Sequence, residues 1–157
     1  YSGTAVADGL RVTGAPVLAE LLNAISVIGL LEQLNGAGLP FVEARADFRM
    51  TPQAVEVTRA SAVGASMGVS LAGIYETATG RLDMQGVISP LYLVNSVGSL
   101  VSRRGEGLFG FNYSLRGTAD APQVRVNPLS ILTPGAFREL FRRPAPVLPP
   151  TPAPETQ

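Results

Sequence analysis

The chain contains no cysteine, no histidine and no lysine. The missing cysteine excludes disulfides and thiolate nucleophiles, and the missing histidine excludes imidazole bases. Together these two absences remove most zinc sites. Charged residues make up only 15% of the chain, and its twelve arginines are balanced by twelve acidic residues. Because the net charge is zero, nothing in the composition attracts nucleic acid or anionic lipid, and we expect no nucleic-acid partner.

Long uninterrupted apolar runs are also missing. The most apolar region, residues 15–34, is interrupted by Glu20, Asn23, Ser26 and Glu32. It therefore lacks the run of about 18 apolar residues that a membrane-spanning helix requires. The sequence begins without methionine and inside a strand-like pattern, so it is interpreted as a piece of a longer protein.

What the sequence does contain is alternation of apolar and polar residues, which is typical of strands with one dry face. The clearest example is residues 42–50, where apolar side chains alternate with charged ones. Turn residues such as Thr51-Pro52 and Gly64 separate the alternating stretches, which predicts an antiparallel meander. The predicted strands cover residues 5–13, 42–50, 54–62, 67–75, 81–88, 109–116 and 123–126. On the strand at 42–50, the predicted dry face comprises Val42, Ala44, Ala46, Phe48 and Met50.

Three segments interrupt the meander with helical spacing. Residues 16–34 predict either one helix or two helices broken near residues 26–29. A shorter helix is predicted at 91–101, and a closing C-terminal helix at 136–142. The predicted fold class is mainly β with short helices (α+β), in which a curved antiparallel meander sheet forms part of an elongated groove. Residues 1–143 form this domain, and the proline-rich residues 144–157 are predicted to be a disordered tail.

The pattern G-x-G-x-x-G occurs at Gly105, Gly107 and Gly110. A dinucleotide site needs a strand before these glycines and a helix after them, because the N-terminus of the helix receives the pyrophosphate. Here the order is reversed, and Ser130 stands about where the acidic ribose ligand is expected. The pattern is therefore interpreted as an entry into a strand, and no cofactor is predicted.

Two carboxylates, Glu43 and Asp47, share one face of the strand at 42–50 and resemble an acid–base pair. Arg45 and Arg49 lie on the same face, which favours a solvated, salt-bridged surface instead. No nucleophile–base pair or metal-ligand set is present elsewhere in the sequence. We therefore predict no catalytic residue, no metal site and no enzymatic activity.

The second half of the chain carries a more specific pattern. A strand "GRLDMQGVISP" covers Gly80 to Pro90, Asn95 follows, and "YSLRGTADAPQVRVNP" covers Tyr113 to Pro128. The pattern closes with "LSILTPGAFRELF", from Leu129 to Phe141. This arrangement resembles the C-terminal region of AsmA-like proteins, the group that includes YhdP and TamB relatives. The helical segment at 16–34 is similar to the insertion before the last strands of these proteins.

The resemblance implies a periplasmic protein, anchored to the inner membrane by a segment outside this chain, that carries phospholipid toward the outer membrane. Acyl chains would be shielded in an apolar β-groove, and other envelope proteins are possible partners. The alternative is a structural or docking module of an envelope-assembly protein, with a closed core and a sheet edge or tail that binds a partner. The predicted groove residues are Phe48, Met50, Val69, Leu71, Met84, Phe109, Phe111, Tyr113 and Leu115.

Overall fold

The computed structural model describes residues 1–90, residues 110–127 and Leu148. In this part of the chain, seven strands and two helices follow one another. The elements are β1 (Ser2–Val12), α1 (Pro16–Ala24), α2 (Ile28–Asn35), β2 (Leu39–Met50), β3 (Ala54–Val63), β4 (Met67–Glu76), β5 (Arg81–Pro90), β6 (Phe111–Thr118) and β7 (Pro122–Asn127).

The strands form a single open, curved sheet in the order β1-β2-β3-β4-β5-β6-β7. Every strand pairs antiparallel with the next one along the chain. The predicted meander is thus confirmed, and so is the mainly β fold class with short helices. Short turns suffice for this topology because consecutive antiparallel strands need no crossover connection.

The helical region predicted at residues 16–34 forms two helices and not one. Pro16 begins α1, where its missing N–H costs no hydrogen bond. The break follows at Ser26, a non-glycine residue with φ of 59°, which ends the regular helical path. Neither helix, nor any other helix within residues 1–90 and 110–127, is long and apolar enough to cross a membrane.

The core of the protein lies between the helical pair and one end of the sheet. Leu22 of α1 and Leu34 of α2 are completely buried. They belong to one cluster, here named the helical core, with Met67 of β4, Ile88 of β5 and Tyr113 of β6. Apolar side chains of the two helices therefore fill the space above this end of the sheet.

One predicted face assignment is wrong. Val42 was expected on the dry face of β2, but its side chain is 70% exposed, whereas Leu39 and Phe41 are buried. Gly9, with a φ of 62°, interrupts the regular extension of β1 at this point, between the pairs Asp8–Glu43 and Leu10–Phe41. The buried positions of β2 are thus Leu39 and Phe41, which belong to the core cluster with the helices, whereas Ala44, Ala46 and Phe48 further along the strand are only partly buried.

Several predictions concern residues that the structure does not describe. The helices expected at 91–101 and 136–142, and the predicted groove residue Phe109, lie outside the described residues. Of the predicted tail at 144–157, only Leu148 is described.

Candidate functional site

The register of the sheet assigns its side chains to two faces. Residues directly opposite each other on paired strands point to the same side, so the pairs can be followed from β2 to β7 as rows. On one side, here named the apolar face, four rows contain only apolar, aromatic or glycine residues. They are the Tyr75 row (Met50, Val55, Tyr75, Leu82, Gly117, Pro122), the Gly73 row (Phe48, Val57, Gly73, Met84, Leu115, Val124), the Leu71 row (Ala46, Ala60, Leu71, Gly86, Tyr113, Val126) and the Val69 row (Ala44, Ala62, Val69, Ile88, Phe111).

The opposite side, here named the polar face, carries mostly charged and hydroxyl side chains. One of its rows runs through Arg49, Glu56, Ile74, Asp83 and Arg116. Two exposed ion pairs lie on this face, with N–O distances of 3.6 Å between Arg116 and Asp83 and 3.8 Å between Arg45 and Asp47. The pair at Asp47 supports a salt-bridged surface on β2 in place of paired carboxylates. Exposed pairs of this kind contribute little to stability.

All eight described residues of the predicted groove lie on the apolar face. Met50 belongs to the Tyr75 row, and the Gly73 row holds Phe48, Met84 and Leu115. The remaining four, Val69, Leu71, Phe111 and Tyr113, lie in the two rows nearest the helices. Alternation in the sequence therefore identified residues of four strands that lie on one surface of the sheet.

Other members of the apolar face were missed from the sequence. Val55 and Val57 of β3 belong to it, but a register shift between Val57 and Ala60 breaks the alternation along this strand. A β-bulge places two residues opposite one, so a strict two-residue period misassigns the positions beyond it. Tyr75 and Leu82 also belong to the apolar face and are not among the predicted groove residues.

The two helices divide the apolar face into two halves. In the helix-covered half, made of the Val69 and Leu71 rows, Ile88 and Tyr113 belong to the helical core, and Val69, Leu71 and Phe111 pack against it. In the distal half, made of the Gly73 and Tyr75 rows, Val124 alone packs against that core. Within the distal half, Leu115 is 5% exposed and Met50 is 42% exposed.

Close contacts in the helix-covered half fix the position of Tyr113. Its hydroxyl donates a hydrogen bond to the backbone carbonyl of Ser70, with an O–O distance of 2.7 Å. Between these two residues lies Gly86, and a Cβ atom added there would come within 2.8 Å of the Tyr113 hydroxyl oxygen. The absence of a side chain at Gly86 therefore lets the tyrosine reach across β5 to β4.

Burial raises the pKa of the Tyr113 hydroxyl above its ordinary value of 10.0. In the unfolded chain the hydroxyl ionises at that ordinary value, so this residue's contribution to stability is complete below pH 10 and is lost as the pH rises above it. We expect the free energy of unfolding to fall by about 1.4 kcal/mol per pH unit in this range through Tyr113 alone.

Replacement of Tyr113 by phenylalanine should cost about 1 kcal/mol at neutral pH, because the Ser70 carbonyl loses its donor. Phenylalanine has no ionisable hydroxyl. Above pH 10, the free energy of unfolding of this variant should therefore fall less steeply with pH, by about 1.4 kcal/mol per pH unit. Urea unfolding of both proteins between pH 8 and about 11, near the tyrosine pKa, measures the two slopes. Equal slopes would show that Tyr113 ionises as readily in the fold as in the unfolded chain.

No protein-family model, curated protein or solved structure matches the chain. The fold and the two-faced sheet therefore stand on the geometry described above, and the likeness of the motifs to AsmA-like proteins stays a prediction.

Proposed function

We propose that this chain is the C-terminal segment of a bridge-like phospholipid transport protein of the Gram-negative envelope. The observation that carries the proposal is the set of four apolar rows, which extends across six strands while the opposite face is polar. A curved sheet of this kind offers acyl chains a surface away from water. Each methylene group that leaves water contributes about 0.8 kcal/mol.

The motif resemblance adds the biological setting. The segment from Gly80 to Pro90 is strand β5 with the turn residue that precedes it, and the segment beginning at Tyr113 contains most of β6 and all of β7. The residues that resemble the AsmA-like pattern thus build the last three described strands of the apolar face. A periplasmic location, and an inner-membrane anchor outside this chain, are parts of the proposal that rest on this resemblance.

The distal half of the apolar face is the favoured place for the acyl chains. Side chains of α1 and α2 already occupy the space over the helix-covered half, where Ile88 is completely buried. Met50, Phe48 and Val57 lie outside the helical core and retain partial exposure. A lipid tail would therefore contact the Gly73 and Tyr75 rows without displacing the helices.

A structural or docking module is the second candidate, and one observation favours it. The helices fill half of the apolar face with their own leucines, as they would in an ordinary closed core. In this interpretation the edge strands β1 and β7, whose outer edges pair with no other described strand, would bind an envelope partner. The two candidates differ in whether lipid ever contacts the distal half.

A photocrosslinking experiment separates the two candidates. A benzophenone amino acid at Met50 should label phospholipid in intact cells, and phospholipid should be recovered with the purified protein. The same amino acid at Val63, which is 51% exposed on the polar face, is the matched control and should not label lipid. If neither position labels lipid and solvent extracts contain none, the transport proposal is wrong and the scaffold remains.

A further inference from the structure

The polar face contains a buried charge. Glu56 is only 4% exposed, and no other charged residue of the described chain is buried. Its register partner is Arg49, and the Oε2 atom of Glu56 lies 2.9 Å from Nε and 2.7 Å from Nη2 of that arginine. Because two guanidinium nitrogens contact one carboxylate oxygen, the guanidinium plane is held in a fixed orientation.

The same guanidinium also reaches the far end of the chain. Nη2 of Arg49 donates a hydrogen bond to the backbone carbonyl oxygen of Leu148, with an N–O distance of 2.6 Å. The two residues are separated by 99 positions in the sequence. One arginine thus connects a carboxylate of the sheet with a backbone carbonyl of the proline-rich segment "PAPVLPP", residues 144–150.

The chemistry of the two partners is complementary. Leu148 precedes a proline, which restricts it to extended or polyproline II conformations. A proline-rich segment has few backbone N–H groups, so its carbonyl oxygens must find donors elsewhere. Arginine supplies five donors and no acceptor, and it stays charged at any physiological pH. Glu56 neutralises that charge and positions the donor.

We propose that Arg49 and Glu56 form a docking site on the polar face for the chain's own proline-rich segment, which binds in cis through the carbonyl of Leu148. Arg49 is the binding residue, and Glu56 is a positioning residue. Attachment to the same chain raises the local concentration of the segment, so a small number of contacts suffices. The segment is thereby held, at Leu148, on the side of the sheet opposite the apolar rows.

The absence of cysteine makes a direct test possible on the full chain. A nitroxide label on Thr151→Cys, three residues after Leu148, should broaden the amide NMR signals of Val55 and Met50 through paramagnetic relaxation. The signal of Arg125 in the edge strand β7, five strands away from β2, should stay sharp. Equal broadening at Val55 and Arg125 would overturn the proposal, because a segment that is docked at Arg49 must lie closer to Val55 than to Arg125.

Two further measurements complete the test. In a mixture of labelled protein without ¹⁵N and unlabelled ¹⁵N protein, Val55 should stay sharp, because docking is in cis. Broadening in the mixture would assign the site to a second copy and contradict the proposal. The double substitution Arg49→Met with Glu56→Gln removes both charges, so no lone buried carboxylate is left to unfold the protein. It should reduce the broadening at Val55 to the level of Arg125.

The matched control is the pair Arg116→Met with Asp83→Asn, which removes an exposed ion pair from the same cross-strand row. This control should leave the broadening at Val55 unchanged. If it abolishes the broadening as completely as the Arg49 and Glu56 double variant, docking depends on general charge and not on the proposed site. The measurements on the labelled chain without these substitutions decide the matter even if a double variant fails to fold.

Discussion

Replacement of Gly86 by alanine is expected to destabilise the protein by at least about 3 kcal/mol. The added Cβ atom would meet the backbone carbonyl of Ser70, with its carbon 2.7 Å away, and the hydroxyl of Tyr113 at 2.8 Å. A strand backbone does not move aside as the end of a flexible side chain does. The substitution must therefore separate β4 from β5 or displace Tyr113 from the core. Urea unfolding monitored by circular dichroism measures the loss.

Gly29→Ala is the matched control, because it adds the same methyl group in open space. Apart from its chain neighbours and the backbone of its own helix, no heavy atom lies within 4 Å of the added Cβ, and the residue belongs to α2. Alanine is a better helix former than glycine, so this variant should be more stable by about 0.5–1 kcal/mol. Opposite signs for the two variants are the expected result. A Gly86→Ala protein as stable as the parent would show that β5 relaxes freely away from Ser70.

The meander was predictable because its signal is local. Alternation within ten residues reveals a strand, and a turn residue such as Gly64 or Pro52 reveals where it ends. The break between the two helices was also visible near Ser26. These features depend on the residues of a single segment, and the structure confirms them.

Features that depend on distant partners were not predictable. Which residues are buried at the start of β2 depends on packing against α2. The alternation in the sequence therefore assigned Val42 to the dry face, whereas the structure buries Phe41. The role of Gly86 depends on Tyr113, whose hydrogen-bond partner lies 43 residues away. The contact between Arg49 and Leu148 spans 99 residues and has no local signal.

The candidate site shows the same division. Alternation identified which residues of a strand share a face, and eight of the nine predicted groove residues lie together on the apolar face. It did not reveal that α1 and α2 cover half of that face. The sequence pattern predicted the same role, that of a groove residue, for Leu71, Phe111 and Met50. In the structure Leu71 and Phe111 pack against the helical core, and Met50 does not.

This difference decides where a charge should be introduced to test lipid transport. Leu71→Glu would place a carboxylate among the helical leucines, and the loss of folding would hide any effect on lipid. Met50 is 42% exposed at the end of β2, so a glutamate there keeps its contact with water in the lipid-free protein. When an acyl chain covers the distal half, the same carboxylate must be desolvated.

Met50→Glu is therefore expected to weaken binding of a fluorescent phospholipid by about tenfold, which corresponds to about 1.4 kcal/mol. The urea midpoint should stay close to that of the parent protein, because the substituted side chain is already partly in water. Val63→Glu is the control: it introduces the same charge at a 51% exposed position on β3 that faces the polar side. Lipid binding should be unchanged in that protein.

The comparison between Met50→Glu and Val63→Glu also separates the two proposed functions. A conduit requires that only the charge on the apolar face weakens lipid binding. A scaffold with a closed core predicts that neither charge matters, because no lipid reaches the distal half. Equal weakening by both charges would indicate adsorption of lipid to the whole protein surface, which contradicts the assignment of the apolar rows as the lipid path.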